Sequence, residues 1–173
     1  MTGQQMLAEA VLASRGLLTR YLDGFDEESR TRQATNLPNH VVWCLGHCAL
    51  TMHRAAELLD GRSISETDFT TDATADCAHR FNAESIALGS CPTEDADCYP
   101  TLARALEIYE TACDRLAACA RVADDDTLNR TVQWGASELT LWSLVLRVTF
   151  HNGMHGGQIT DLRRAMGLAR VIK

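Results

Sequence analysis

Apolar residues at intervals of three and four divide this chain into four helix-length segments, and this periodicity is the strongest constraint on its fold. The first segment ends at Gly24, the second lies between Pro38 and Gly61, the third follows Pro100, and the fourth ends at Gly167. In each segment the spacing gives a helix one apolar face to bury against a neighbour. The sequence therefore predicts an all-α protein built from four helices.

Capping and breaking residues predict where these helices begin and end. Thr2 and Gln5 have the spacing of a capping box, so the first helix is expected to begin directly after Thr2. Pro38 is expected in the first turn of the second helix, where its missing N–H is tolerated. The acidic run 124–126 is expected to close the third helix, and Ser137 is expected to cap the fourth.

A polar stretch from Gly61 to Cys98 separates the second and third segments. It is longer than the ~12–15 residues of most connections in compact domains, so it is expected to cross the molecule, with Phe81 and Ile86 marking a short helix. Such a crossover lets the first two helices run one way and the last two return, in an up-up-down-down arrangement. The chain has 173 residues and no internal repeat, and it is expected to form one domain over residues 1–173.

Charge and hydropathy argue against two classes of partner. The formal net charge is −7 and no cluster of Lys and Arg occurs, which argues against binding to nucleic acid. No segment approaches the ~20 apolar residues of a membrane span, and the N-terminus lacks the basic and apolar regions of a signal peptide. The sequence therefore predicts a cytoplasmic protein with neither a nucleic-acid nor a membrane partner.

The chain contains seven cysteines, and reduced thiols are expected for a protein without a secretion signal. Four of them lie in helix-patterned segments, where a free cysteine behaves as a small apolar residue: Cys44, Cys48, Cys113 and Cys119. The other three, Cys77, Cys91 and Cys98, lie in the polar stretch. Exposure there would make them oxidisable or allow two of them to form a disulfide.

His151 and His155 are four residues apart, which on an α-helix turns two imidazoles about 40° from each other and lets both reach one cation. Both continue the apolar stripe of Leu144 and Val148, so they face the core and need partners there. Two separate buried acceptors would satisfy them, and so would one metal ion. His47, in another apolar helical segment, is the candidate third ligand. Three neutral imidazoles would leave a divalent ion its full charge and open positions, which is typical of reactive metal sites.

Two segments resemble the motifs of a known family. The later segment is His151-Asn-Gly-Met-His155-Gly-Gly-Gln158-Ile159, running on to Gly167, and the earlier one is Asn39-His-Val-Val-Trp43-Cys-Leu-Gly46-His47. Their order, their separation and the chain length resemble the DinB/YfiT-like family of metalloenzymes. The resemblance implies a DinB-like four-helix bundle, a homodimer, and a divalent metal ion held by His47, His151 and His155.

Two positions bear on how far the resemblance extends. Many relatives have a second histidine just before the last ligand, whereas this chain has Met154, which lies off the inward stripe and leaves the three ligands in place. Asn152 follows the first histidine of the pair, where a zincin protease needs a glutamate as general base. A peptidase activity is therefore disfavoured.

The resemblance also implies a chemistry. Family members of known activity include transferases and isomerases that use low-molecular-weight thiols such as mycothiol or bacillithiol. The expected function is attack of a metal-activated thiolate on an electrophilic substrate, with zinc, nickel or iron as the ion.

Two other functions fit the same residues. The bundle could be a non-catalytic, metal-binding module that works in stress response as a dimer. Alternatively, Cys44, His47 and Cys48 could form a structural zinc site, since positions 44 and 48 are one helical turn apart.

Gln158 and His40 are the candidates for contacts around the metal ligands. Gln158 lies three residues beyond His155 on the flank of the metal face, where it could hydrogen-bond a ligand or solvate the helix surface. His40 precedes His47 by seven residues and could line the mouth of the cavity as a base or lie at the surface. No residue is assigned to proton transfer, so the catalytic residues are unknown at this stage.

Three glycines interrupt the last helix, namely Gly153, Gly156 and Gly157. Each costs about 1 kcal/mol relative to alanine, so their presence indicates that something needs the space. Close helix packing is the preferred explanation. Gly153 and Gly157 also offer a groove for the predicted homodimer.

Overall fold

A computed structural model describes residues 1–65, 69 and 81–172 of the chain. This part of the chain contains four long helices: α1 Gly3–Arg20, α2 Val41–Asp60, α3 Leu102–Val122 and α5 Leu141–Ala165. The shorter elements are a 3-10 turn at Ala96–Cys98, the helix α4 at Asp125–Asn129, and the strands β1 Thr131–Trp134 and β2 Ser137–Thr140. The predicted four long helices are confirmed, and the protein is mostly helical with one small sheet.

The predicted signals at the ends of three helices are confirmed. Thr2 caps α1: its hydroxyl accepts from the Gln5 N–H at 3.2 Å, and the Gln5 side chain accepts from the Thr2 N–H at 2.8 Å. Gly61 ends α2 with a φ of 70°, and Gly167 follows α5 with a φ of 74°. Both glycines adopt the left-handed backbone that other residues disfavour, which is why the helices stop there.

The start of α2 differs from the prediction. The helix begins at Val41 rather than at Pro38, because the His40 ring caps it: His40 Nδ1 accepts from the Trp43 N–H at 3.2 Å. Pro38 lies in the preceding loop. A histidine is an uncommon cap, so the sequence pattern did not indicate it.

The predicted entry to the last helix is also wrong. Ser137 does not cap α5, because it begins strand β2, which pairs antiparallel with β1 and places Ser137 opposite Trp134. The cap is Thr140, whose side chain accepts from the Ser143 N–H at 3.3 Å. Gly135, with a φ of 58°, makes the turn of this hairpin.

The acidic run has a different function from the one predicted. Asp124 does not close α3, which already ends at Val122; it begins the short helix α4, where its carboxylate accepts from the Thr127 N–H at 2.7 Å. The C-terminal end of α4 is followed by the hairpin, which begins at Thr131. The all-α prediction therefore missed one short helix and one small sheet.

The predicted short helix around Phe81 and Ile86 is absent, since residues 81–89 form turns. Both side chains are nevertheless buried in the core. The two apolar residues therefore mark a buried segment, although the predicted helix was wrong. Other residues of the predicted crossover, including Cys77, lie outside the described residues. A disulfide involving Cys77 is therefore untested, whereas Cys91 is a free thiol and is not bonded to Cys98.

The long helices share one apolar core. Helix α2 packs against α3 and α5, and α1 packs against the same two helices. The core is one continuous cluster, to which α1, α2, α3 and α5 all contribute. This arrangement fits a helical bundle, while the up-up-down-down order of directions stays a prediction. No helix of the described chain is long and apolar enough to cross a bilayer.

Asn152 forms a polar connection inside this core. It is fully buried on α5, and its Nδ2 donates to the Tyr109 hydroxyl of α3 at 3.1 Å and to the Ser14 hydroxyl of α1 at 3.2 Å. Burial raises the pKa of Tyr109, so its hydroxyl is neutral at all physiological pH values. One amide thus links α1, α3 and α5. The sequence pattern had indicated only that position 152 lacks the glutamate of a zincin protease.

We expect Asn152→Ala to lower the free energy of unfolding by about 2 kcal/mol, because the buried Tyr109 hydroxyl of α3 and the part-buried Ser14 hydroxyl of α1 each lose one hydrogen bond. The matched control is Met6→Ala on α1, where the side chain is exposed and the change should stay below about 0.5 kcal/mol. Urea denaturation followed by circular dichroism measures both. Equal losses in the two variants would contradict a stabilising function for the Asn152 hydrogen bonds.

Candidate metal centre

The three predicted histidines come together where α2 packs against α5. His47 lies on α2, and His151 and His155 lie on α5; a ring nitrogen of each is within 4.8 Å of a ring nitrogen of the other two. The His151 and His155 Nε2 atoms are 3.1 Å apart. Within the described part of the chain, this is the one group of three or more His, Cys, Asp or Glu side chains placed to bind a single ion.

Hydrogen bonds fix the proton position on two of the rings. The Ile86 carbonyl lies 2.6 Å from His47 Nδ1, and the Gln158 Oε1 lies 3.0 Å from His155 Nδ1. Since both oxygens can only accept, each Nδ1 carries the proton and each Nε2 keeps a lone pair. Such contacts orient metal-binding imidazoles in general.

The third ring fits the same site. His151 Nδ1 is buried without a hydrogen-bond partner among the described residues, and its Nε2 has the His155 Nε2 as its one hydrogen-bond partner there. The His155 Nε2 can only accept, so in the absence of a cation the two rings share a single proton. If the His151 proton moved to Nδ1, both Nε2 lone pairs would be free, and a cation that accepts them would replace that one hydrogen bond. The donor set therefore suits a divalent ion that prefers nitrogen ligands.

Gly46 explains how the Ile86 carbonyl reaches His47. A Cβ at position 46 would lie 2.8 Å from Phe81 Cζ and 3.1 Å from Ile86 Cδ1, closer than side chains normally approach. The glycine thus allows the segment with Phe81 and Ile86 to pack directly on α2. Ile86 contributes a backbone carbonyl, which every residue type has, so the sequence pattern did not indicate its contact with His47.

Trp43 holds His47 from the other side. The two rings stack with centroids 4.6 Å apart and an angle of 10° between their planes. The Trp43 Nε1 donates to the Ser90 hydroxyl at 2.9 Å, so the indole is itself fixed. The aromatic residue of the earlier motif therefore supports the imidazole.

Gln158 hydrogen-bonds a candidate ligand, His155, which was one of the two alternatives predicted for it. Its Oε1 accepts from His155 Nδ1, from Asn39 Nδ2 at 3.2 Å and from the Cys44 thiol at 3.7 Å. Because three donors surround one oxygen, the amide cannot turn freely. Gln158 thus ties the His155 ring to the start of α2.

The positions of His40 and of two cysteines do not match their predicted functions. His40 is fully buried at the start of α2, where burial lowers its pKa to about 4, so it neither lines a cavity mouth nor lies at the surface. Cys44 and Cys48 are buried, and burial raises the pKa of Cys44 to about 12. Neither cysteine belongs to the group of side chains placed to bind one ion with His47. The structural zinc site of Cys44, His47 and Cys48 therefore receives no support.

Burial keeps the three imidazoles neutral. Together with a smaller effect of the neighbouring imidazoles, it lowers the pKa of His151 to about 4 and of His155 to about 3. Burial also lowers the pKa of His47, although its hydrogen bond with Ile86 opposes this. All three rings are therefore deprotonated at neutral pH, which is the form that binds metal ions.

A cavity of about 450 Å³ lies beside the histidines. His47 and His151 form part of its wall, and Trp134 and Gly135 of the hairpin form another part. The volume is in the usual range for small-molecule sites. The hairpin that the sequence did not predict is thus a wall of the candidate site.

The chain belongs to the DinB superfamily, which its sequence matches over residues 10–159. No curated protein matches it significantly. Four solved chains match its structure. One of them, a conserved protein from Enterococcus faecalis, has a TM-score of 0.74 at 15% identity, covering 96% of this chain and 99% of the other. At this identity the likeness shows the fold alone.

The lowered imidazole pKa values predict how the metal-free protein responds to acid. Unfolded histidines take up protons near pH 6.5, whereas His151 and His155 in the folded chain resist protonation down to about pH 4 and 3. The unfolded state binds more protons between these values, so the metal-free protein should lose stability as the pH falls from about 6.5 to 4. Urea denaturation of chelated protein at a series of pH values measures this slope.

The control for this prediction is His151→Gln, which removes one of the titrating rings. Its stability should fall less steeply over the same pH range, because one proton-uptake site of the unfolded state is gone. Carboxylates contribute equally to both proteins and cancel in the comparison. Parallel slopes would show that His151 is not responsible for the acid sensitivity.

Proposed function

We propose that this protein is a divalent-metal-dependent transferase or isomerase that acts with a low-molecular-weight thiol. The observation that carries the proposal is the convergence of three neutral histidines beside a cavity of small-molecule size. Three neutral ligands leave a divalent ion its full charge and at least one open position. Zinc, nickel and iron all suit such a set.

The residues around the site have separate tasks in this proposal. His47, His151 and His155 would hold the ion, while the Ile86 carbonyl and Gln158 keep the His47 and His155 rings oriented. When bound, the ion supplies Lewis acidity that lowers the pKa of a thiol or water in contact with it. Burial of the rings excludes bulk water from their inner side.

Among the described residues, no carboxylate lines the cavity, and this favours a thiol over water as the nucleophile. None of the described residues that line the cavity is Asp or Glu, the usual general bases of hydrolases. A thiol has an ordinary pKa of about 8.5, compared with 15.7 for water, so it needs a far smaller shift to ionise at neutral pH. Asn152, which replaces the base of a zincin protease, is buried in the core away from the cavity.

We expect His47→Ala, His151→Ala and His155→Ala each to lose stoichiometric metal while staying helical, because the core is mostly aliphatic. Elemental analysis of protein purified without a histidine tag measures the metal. The control is His53→Ala, a buried histidine of α2 outside the group, which should keep its metal. The loaded parent should consume a low-molecular-weight thiol in the presence of an electrophile, and chelation should abolish this activity.

The protein's own cysteines require a separate control for that assay. Cys91 is exposed and could react with an electrophile unaided. His151→Ala keeps every cysteine but should lose the metal. Equal thiol consumption by parent and His151→Ala would reject the thiol mechanism. Retained metal without any turnover would favour the non-catalytic, stress-response module.

We also propose that the chain is a single DinB-like domain over residues 1–173 that forms a homodimer through the outer face of α5. Contrary to the preferred sequence interpretation, Gly153 and Gly157 do not serve close packing within the described chain, since a Cβ at either would meet no atom within 4 Å. Phe150 and Met154 on this helix are 71% and 56% exposed. A second copy would bury these side chains.

We expect Phe150→Glu to convert the dimer to a monomer, because it would bury a charge at the interface. The control is Val122→Glu at the end of α3, which is also exposed but lies on another helix. Light scattering over a wide concentration range measures the mass. A parent protein that stays monomeric throughout would end this part of the proposal.

A further inference from the structure

The cavity beside the histidines has an unusual charge for this protein. The chain has 23 Asp and Glu against 16 Lys and Arg, yet none of the described residues lining the cavity is acidic. Its charged lining residues are Arg54 of α2 and Arg147 of α5. A divalent ion on three neutral ligands would add two more positive charges. The cavity is therefore a positive site on an acidic protein.

Neither arginine is neutralised by the described part of the chain. Neither forms an ion pair there, whereas Arg15 pairs with Asp114 and Arg115 pairs with Asp60. The Arg147 Nη1 donates only a long hydrogen bond of 3.4 Å, to the Ser137 hydroxyl. Both guanidinium groups are thus available to a ligand in the cavity.

Both arginines lie on the helix faces that carry the histidines. Arg54 follows His47 by seven residues, or two helical turns, and Arg147 precedes His151 by four residues, or one turn. The distance along each helix is therefore roughly 5–11 Å.

We infer that the molecule that reacts at the histidine site carries an anionic group, of carboxylate or phosphate chemistry, which Arg54 and Arg147 bind. The guanidinium fork matches the paired oxygens of both groups. A cavity lined by one sign of charge also attracts such molecules from solution. The inference rests on the proposed function only for the place of reaction, and it adds the substrate class.

Anion binding to chelated full-length protein tests this inference without using activity. The probes are succinate, inorganic phosphate and the neutral succinamide, and the readout is tryptophan fluorescence, because Trp134 lines the cavity. Calorimetry supplies the affinities. We expect saturable binding of succinate or phosphate and none of succinamide. The preferred anion identifies the group as carboxylate or phosphate.

Charge-removing variants then locate the binding site. Arg54→Gln and Arg147→Gln should each weaken anion binding by about tenfold, since each loses a charge-assisted contact. Arg20→Gln, an exposed arginine at the end of α1, makes the same change in net charge and should bind like the parent. Thermal melts confirm that all three variants fold.

The outcomes separate this inference from the proposed function. Equal affinities in the parent, Arg54→Gln and Arg147→Gln, or no saturable binding of any anion by the parent, would overturn the inference. Both variants keep the three histidines and should keep stoichiometric metal. Thiol chemistry that persists without anion binding would reject the substrate class alone, and anion binding without thiol chemistry would reject the proposed function alone.

Discussion

The packing of α2 against α5 is the contact on which the site depends. It brings His47 of one helix against His151 and His155 of the other, and the three rings lie with centroids 4.5–5.0 Å apart. Imidazoles buried this closely disfavour protonation, because each cation would lack solvent and face its neighbours. The helix contact therefore produces neutral nitrogens with converging lone pairs, which is the property that metal binding requires.

The segment before α3 completes the histidine site that α2 and α5 form. Its Phe81 and Ile86 side chains enter the core only because Gly46 has no Cβ, and the Ile86 carbonyl then fixes the His47 ring. Gly46 and His47 of the earlier motif therefore act together. Gly46 leaves room for the Ile86 backbone, and the Ile86 carbonyl orients the His47 ring. A side chain at position 46 would disturb the site without touching any ligand.

Sequence reasoning identified the parts of the molecule that depend on local spacing. The capping box of Thr2, the helix stops at Gly61 and Gly167, and the His151–His155 pair all follow from residues a few positions apart. His47 lies far from that pair in sequence, and its place beside them was predicted from its apolar helical segment and from the family resemblance. Its errors concern interactions that spacing does not record. Thr140 and Ser137 were misjudged because a four-residue strand has too little alternation to be recognised. The partners of Asn152 are distant in sequence, so its function was invisible until the helices were assembled.

The charge of the ligand set connects the metal site to its cavity. Had one ligand been a carboxylate, it would have cancelled half the charge of a divalent ion and could have served as a base for water. Three histidines provide neither a negative charge to offset the ion nor a carboxylate base. Arg54 and Arg147 add positive charge to the cavity. A site of this kind gains most from a nucleophile that ionises readily and from a molecule that brings its own negative charge. Among the described residues, the neutral ligands and the two arginines without an ion pair therefore support the same proposed chemistry.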